Sequence, residues 1–185
     1  SVAPLRSIVL LRDDPEDDAT IIASAASVEL SDDDEDDLQR YIDVTRGELF
    51  FARGIIFVEG DAERFLVPAF ATAIGVDLDA LGVTVCSIAG TNFLPYIKLV
   101  GPDSLNIPFR VVTDRDPQGE NDPLAYDRVR KLLKHLGMDD EDLDEYDVDD
   151  LFEEGEMSGI FINQDTLEVD LFNAGMGPAM ATIFA

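Results

Sequence analysis

Two pairs of acidic residues in this sequence lie where they could hold a divalent metal ion. Glu59 and Glu63 flank a turn that follows the apolar segment 54–58, and Asp114 and Asp116 follow a second apolar segment. Carboxylates that converge repel one another, and a divalent cation relieves that repulsion. Because all of these donors are oxygens, they favour Mg²⁺ or Mn²⁺ over softer metals. The four acids are therefore candidate ligands for one or two such ions.

Two cations held close together would suit the hydrolysis of a phosphodiester bond, with Glu59 and Asp114 as candidate catalytic residues. One ion would lower the pKa of the attacking water, and the other would stabilise the leaving 3′ oxygen. The chain has 40 acidic residues, so an Asp-x-Asp pair is common in it, and segments 32–34 and 142–144 match as well. What distinguishes the two candidate pairs is their position directly after an apolar strand, and solvated surface acids remain the alternative.

Glycines after the predicted strands would let a phosphate or a metal ion approach the backbone. Gly60 permits a tight turn after Glu59, and Gly90 and Thr91 follow the predicted strand 83–89. The helix predicted after this second turn would point N–H groups toward the same place. Gly60, Gly90 and Thr91 are therefore candidates for phosphate or backbone contact.

Apolar strands and helical segments alternate along the chain, which predicts an α/β fold. The expected architecture is a mainly parallel sheet of about four strands flanked by helices. The carboxyl ends of parallel strands lie at one edge, where open sheets bind their ligands, so the acids would meet there. The predicted strands are 55–58, 83–89, 108–113 and 159–163, and the predicted helices are 61–74, 93–100, 123–136 and one that starts near 166.

Two regions lie outside this alternation. Residues 1–45 contain the start of a helix predicted over 36–51 and are interpreted as a connector from an upstream region. Residues 138–157 are strongly acidic and are interpreted as a solvated insertion in the domain formed by 46–185. Part of this insertion is similar to a calcium-binding loop, but Asp147 stands where such a loop needs glycine.

The composition predicts a folded core under a very acidic surface. The 185 residues carry 40 acidic and 13 basic side chains, a formal net charge of -27, and 46% of them are hydrophobic. This balance favours adaptation to high internal salt, with binding of cations or basic partners as the alternative. One cysteine and one histidine, Cys86 and His135, exclude a zinc site built from such ligands. No apolar run reaches the length of a membrane span, so we expect a cytoplasmic protein.

Three segments of the sequence resemble the Toprim domain of topoisomerases, primases and related nucleases. They are RGELFFARGIIFVEGDAERFLVPAFA (46–71), VTVCSIAGTNFLPYIKLV (83–100) and IPFRVVTDRDP (107–117). The resemblance is closest to the Toprim nuclease domain of the OLD (overcoming lysogenization defect) family. It covers about 42–116 and resumes at TLEVDLF (166–172).

The resemblance implies a Toprim fold, similar to the Rossmann fold, and a metal-dependent endonuclease that acts on DNA with Mg²⁺ or Mn²⁺, two ions in all. The metal ligands that it implies are Glu59, Glu63, Asp114 and Asp116, and Glu168 is an additional candidate ligand for the second ion. Members of the family join an upstream ABC-type ATPase domain to this domain in the same full-length chain. The present fragment has no Walker A glycine loop, so we expect no ATP site in it, and a homodimer would form through the missing region.

One departure from the family leaves two other functions open. The family uses a late lysine near the reacting phosphate, and this chain has no lysine after Lys134. Lys98 is a possible substitute, although a solvated helix lysine is the favoured interpretation. The alternatives to a nuclease are a catalytically decayed Toprim module for interaction or regulation, and a primase-like or topoisomerase-like Toprim enzyme.

Overall fold

The amino-terminal part of the chain forms a β-hairpin and a helix. The computed structural model describes residues 4–13, 19–45 and 47–183. Short 3₁₀ helices at Leu5–Ser7 and Ala25–Ser27 flank strands β1 (Val9–Asp13) and β2 (Thr20–Ser24), which pair antiparallel. Helix α1 (Asp32–Thr45) follows, and then a 3₁₀ helix at Gly47–Phe51. The Ser31 hydroxyl accepts a hydrogen bond from the Asp34 N–H at 3.2 Å and caps α1, as the serine before this acidic run predicts, but the helix ends at Thr45 and not near Phe51.

Strands and helices alternate through the rest of the chain. In order they are β3 (Gly54–Val58), α2 (Asp61–Ala73), α3 (Leu78–Leu81), β4 (Val83–Ser87), α4 (Leu94–Val100), β5 (Phe109–Thr113), α5 (Ala125–His135), α6 (Asp140–Glu145), α7 (Val148–Met157), β6 (Ile160–Ile162), α8 (Leu167–Leu171), a kinked segment (Phe172–Met176) and α9 (Gly177–Ile183). Among the residues that the structure describes, no helix is both long and apolar enough to cross a bilayer.

The central sheet is parallel throughout and has the strand order β4-β3-β5-β6. This confirms the predicted α/β fold with four parallel strands and flanking helices. The register pairs Val58 with Ser87 and Phe57 with Val111, so β3, β4 and β5 end at the same edge of the sheet. Residues that follow these strands therefore meet at that edge, as in other open α/β sheets.

One continuous core covers one face of the sheet, because its strand residues Phe57, Cys86, Val111 and Ile160 are partners in the register and so point the same way. Phe57 and Val111 in the two central strands are fully buried, and Leu132 of α5 packs in the same cluster. Leu5 and Leu38, which precede the sheet, also belong to this cluster. The described part of 1–45 thus contributes residues to the core of the domain, and α1 packs against α4.

The acidic segment 138–157 differs from the predicted solvated insertion, because it forms α6 and α7. Leu143 and Leu151 are fully buried, and Phe152 is nearly so. Helix α7 packs against α5 and β6, so it is a packed part of the connection between β5 and β6. The acids occupy the exposed faces of these two helices. Of the residues that match a calcium loop, Asp142 and Asp144 lie in α6 and Glu153 lies in α7.

Candidate metal centre

Glu59, the first residue after β3, receives hydrogen bonds from three parts of the chain. Its Oε1 atom accepts from the Asp114 N–H at 2.9 Å and from Arg128 at 2.8 Å, and it also accepts from the Thr113 hydroxyl. The side chain is 16% exposed. Burial raises the pKa of Glu59 above its usual value, and these hydrogen bonds and the Arg128 charge limit the rise. The carboxylate is therefore tied to the end of β5, the neighbouring strand.

Asp114, the first residue after β5, is fixed from the opposite side by β6 and α8. Its Oδ1 atom accepts from the Asn163 side chain at 2.7 Å and from the Leu167 N–H at 3.0 Å. Burial is the largest cause that raises the pKa of Asp114, and the negative charges of Asp116 and Glu168 raise it further. Asp114, Asp116 and Glu168 thus lie close enough to interact electrostatically.

Asp116 lies beyond the extended strand, in a segment with a different backbone conformation. Strand β5 ends at Thr113, and Asp116 has a positive φ of 52°. Its Oδ2 atom accepts a hydrogen bond from Arg128 at 2.9 Å. The two aspartates therefore have different partners, although both remain at the edge of the sheet.

Arg128 is the residue of this site that the sequence analysis missed. Its guanidinium lies between Glu59 and Asp116 and also donates to the backbone oxygen of Asp114 at 3.0 Å and to the Thr113 hydroxyl. Its side chain is only 10% exposed. The sequence does contain a signal, because Arg128 lies at helical spacing on the buried stripe of α5.

Glu63 has a local role in the structure. Its Oε2 atom accepts the N–H of Gly60 at 3.1 Å, which caps the first turn of α2. The residue is 7% exposed. Gly60 is also tightly placed, because a Cβ atom there would lie 3.1 Å from Glu63 Oε2. Glu63 is thus held beside the turn that follows Glu59, with one oxygen already used by the backbone.

The glycine turn after β4 lies next to the same edge. The N–H of Gly90 donates to the backbone oxygen of Glu59 at 3.0 Å, which joins the two turns. Gly90 and Thr91 are exposed and line a cavity of about 220 Å³ between α1 and α4. Lys98 lies elsewhere, because it lines a separate cavity with Ser104 and His135. The structure therefore places the glycine turn, and not this lysine, beside the acids.

The donor set fits Mg²⁺ or Mn²⁺ in its chemistry, since it offers hard carboxylate oxygens that are partly buried. In the described part of the chain, however, no three acidic, histidine or cysteine side chains lie close enough together to hold a metal ion as they stand. Arg128 bridges Glu59 and Asp116, so a guanidinium meets part of the need for positive charge. The carboxylates and this arginine are the parts from which a metal centre would be made.

Comparisons with known proteins identify the domain. The family model described as "Overcoming lysogenization defect protein-like, TOPRIM domain" matches residues 50–116. The structure of the C-terminal region of the Burkholderia pseudomallei OLD protein is 55% identical, with a TM-score of 0.62 over 69% of this chain and 61% of that chain. A platinum-phased structure of the C-terminal region of the Xanthomonas campestris pv. campestris OLD protein is 48% identical, with a TM-score of 0.64 over 72% and 61%.

Two further findings concern the extent of these comparisons. The present chain spans about three fifths of the length of the solved C-terminal regions that it matches. Comparison with curated proteins gives no match. The matched residues include Glu59, Glu63, Asp114 and Asp116, which the sequence analysis selected as candidate ligands. The chain carries a TOPRIM domain of the OLD-like family.

Proposed function

We propose that this chain is the catalytic domain of an OLD-type endonuclease that hydrolyses DNA phosphodiester bonds with Mg²⁺ or Mn²⁺. The observation that carries the proposal is the linkage of Glu59 to the segment of Asp114 and Asp116. The Asp114 N–H donates to Glu59, and Arg128 joins Glu59 to Asp116. Acids from two adjacent parallel strands thus share one hydrogen-bond network at the edge where open sheets bind ligands.

Each acid has a proposed role in this function. Glu59, Asp114 and Asp116 would hold one divalent cation, and Glu63 and Glu168 would contribute to a second. A bound cation would supply positive charge to the phosphate and acidity to a coordinated water. The chain's other residues position these acids, since Asn163 and the Leu167 N–H fix the Asp114 carboxylate.

The net charge of -27 has to be reconciled with a DNA substrate. Binding to DNA depends mainly on neutralising its phosphates, and an acidic surface opposes this. The proposal therefore assigns phosphate neutralisation to the metal ions and to other parts of the full-length protein, including an upstream ABC-type ATPase domain. We propose that the full-length protein is a homodimer formed through that upstream region.

The test compares plasmid cleavage by the wild-type full-length protein and by Asp114→Asn, with Mn²⁺ at high KCl. We expect the substitution to lower the cleavage rate by about 100-fold or more, because the site loses a metal-ligating charge. The control is Asp142→Asn, which removes one charge from the exposed face of α6 and leaves the rate unchanged. Circular dichroism checks that both variants fold. Equal cleavage by wild type and Asp114→Asn would reject the proposal.

A second candidate function is a Toprim module without catalysis. The observation that favours it is that Arg128 pairs with both Glu59 and Asp116 and offsets one of their two negative charges, as the counter-ion of a structural network would. Calorimetric titration with Mn²⁺ separates the two functions. A catalytic site binds Mn²⁺ in the wild type and loses that binding in Asp114→Asn, whereas a decayed site shows no difference between the two proteins.

A further inference from the structure

Arg128 is an internal counter-ion for two candidate metal ligands. One guanidinium nitrogen lies 2.8 Å from Glu59 Oε1, and the other lies 2.9 Å from Asp116 Oδ2. The side chain of Arg128 is 10% exposed, that of Glu59 is 16% exposed and that of Asp116 is 26% exposed. Such a pair is screened much less by salt than an exposed one. The guanidinium therefore supplies, inside the fold, one of the two positive charges that a divalent cation would bring.

The hydrogen bonds leave little room for a cation to be added at this point. Glu59 Oε1 already accepts from Arg128, from the Asp114 N–H and from the Thr113 hydroxyl. A carboxylate offers about four acceptor positions on its two oxygens, which is about two per oxygen. Glu59 Oε1 already has three donors, so all of its acceptor positions are used. A cation that contacts both Glu59 Oε1 and Asp116 Oδ2 would meet the positive charge of Arg128 between them. Contact with these two oxygens thus requires the guanidinium to withdraw.

We propose that Arg128 and a divalent cation compete for Glu59 and Asp116. This inference rests on the metal site of the proposed function. In the metal-free protein, Arg128 holds the two acids together and offsets one of their two negative charges. When a cation binds these same two oxygens, the arginine gives up both contacts, so the strength of these contacts sets the metal concentration at which the site fills. Arg128 is in this sense a positioning residue that tunes metal affinity.

The test measures Mn²⁺ affinity by isothermal titration calorimetry on the nucleotide-free full-length protein. Arg128→Gln removes the competitor, so we expect its Kd for Mn²⁺ to be about tenfold lower than that of the wild type. The matched control is Arg130→Gln, on the same helix, because Arg130 contacts the backbone of Leu143, the exposed Asp144 and Tyr126, none of which is a candidate metal ligand. It loses the same charge, and its Kd should stay within about twofold of the wild type.

A second measurement separates competition from a merely structural role. Thermal unfolding in EDTA should show a lower Tm for Arg128→Gln, since two carboxylates lose their counter-ion. Saturating Mn²⁺ should then raise the Tm of this variant by more than it raises that of the wild type. A purely structural arginine would lower the Tm equally with and without Mn²⁺. Arg128→Lys keeps the charge and loses the bidentate geometry, so its Kd for Mn²⁺ should lie between that of the wild type and the tenfold lower value. This variant serves as the test if Arg128→Gln does not fold.

The outcomes distinguish this inference from the proposed function. Mn²⁺ binding that depends on Asp114, with a Kd for Arg128→Gln equal to or weaker than that of the wild type, overturns the competition and leaves the metal site standing. The absence of Asp114-dependent binding in the wild type and in both Arg128 variants overturns both proposals. A lower Kd for Mn²⁺ in Arg128→Gln but not in Arg130→Gln, together with the larger rise of Tm in Mn²⁺, supports the competition.

Discussion

The Glu59 carboxylate depends on donors from β5, from the turn that follows it and from α5. A buried carboxylate is costly unless hydrogen bonds and opposite charge compensate for its lost hydration. Thr113 has a particular place among these donors, because its hydroxyl contacts both Glu59 and Arg128 and the residue is only 1% exposed. The hydroxyl therefore belongs to the hydrogen-bond network that fixes the positions of the Glu59 and Arg128 side chains.

Replacing this hydroxyl should destabilise the domain by a modest amount. Thr113→Val keeps the shape and removes one donor, while Glu59 retains two others, so the free energy of unfolding should fall by about 1 kcal/mol. Urea denaturation measures the change. The control is Thr72→Val, because the exposed Thr72 hydroxyl only donates to the Pro68 carbonyl within α2, and its effect should stay within about 0.5 kcal/mol. Equal stability of the wild type and Thr113→Val would contradict this role.

Helix α7 shows how an acidic segment can still be part of the core. Leu151 is fully buried against α5 and the sheet, whereas Met157 at the end of the same helix is 72% exposed. Leu151→Ala should therefore lower the free energy of unfolding by about 2–5 kcal/mol, because it leaves a cavity. Met157→Ala is the matched control and should change it by less than about 0.5 kcal/mol. A negligible effect of Leu151→Ala in urea denaturation would restore the interpretation of 138–157 as a solvated insertion.

The elements of the sheet could be predicted from the sequence, and the acidic helices and the arginine could not. Strand β3 is a continuous run of apolar residues followed by Glu59 and glycine, a pattern with few competing structures. In α6 and α7 the buried residues are few and the acids many, so composition hides the apolar face. Helical spacing places Arg128 on the buried stripe of α5, but it does not identify the partners of this arginine. Those partners depend on how α5 packs against the ends of two strands, which no local pattern encodes.

At the scale of the whole molecule, repulsion between negative charges opposes folding. Forty acids and 13 basic residues leave many like charges on one surface, and compaction brings them closer. The ion pairs among the described residues include Arg128 with Glu59 in a buried position and Lys134 with Asp140 in an exposed one. Exposed pairs contribute little, so they offset only part of the repulsion. Salt in the medium is the remaining means of reducing it.

Raising KCl from about 0.1 M to about 1 M should therefore raise the Tm of this chain, because the Debye length falls from about 10 Å to about 3 Å. Differential scanning calorimetry measures the shift. Replacing the exposed acids Glu141, Asp142 and Glu145 of α6 by their amides removes charges that have no ion pair among the described residues. This variant should show a smaller rise over the same range, since there is less repulsion to screen. A Tm that stays constant or falls with KCl would contradict the predicted salt adaptation, because screening would then be weakening attraction more than repulsion.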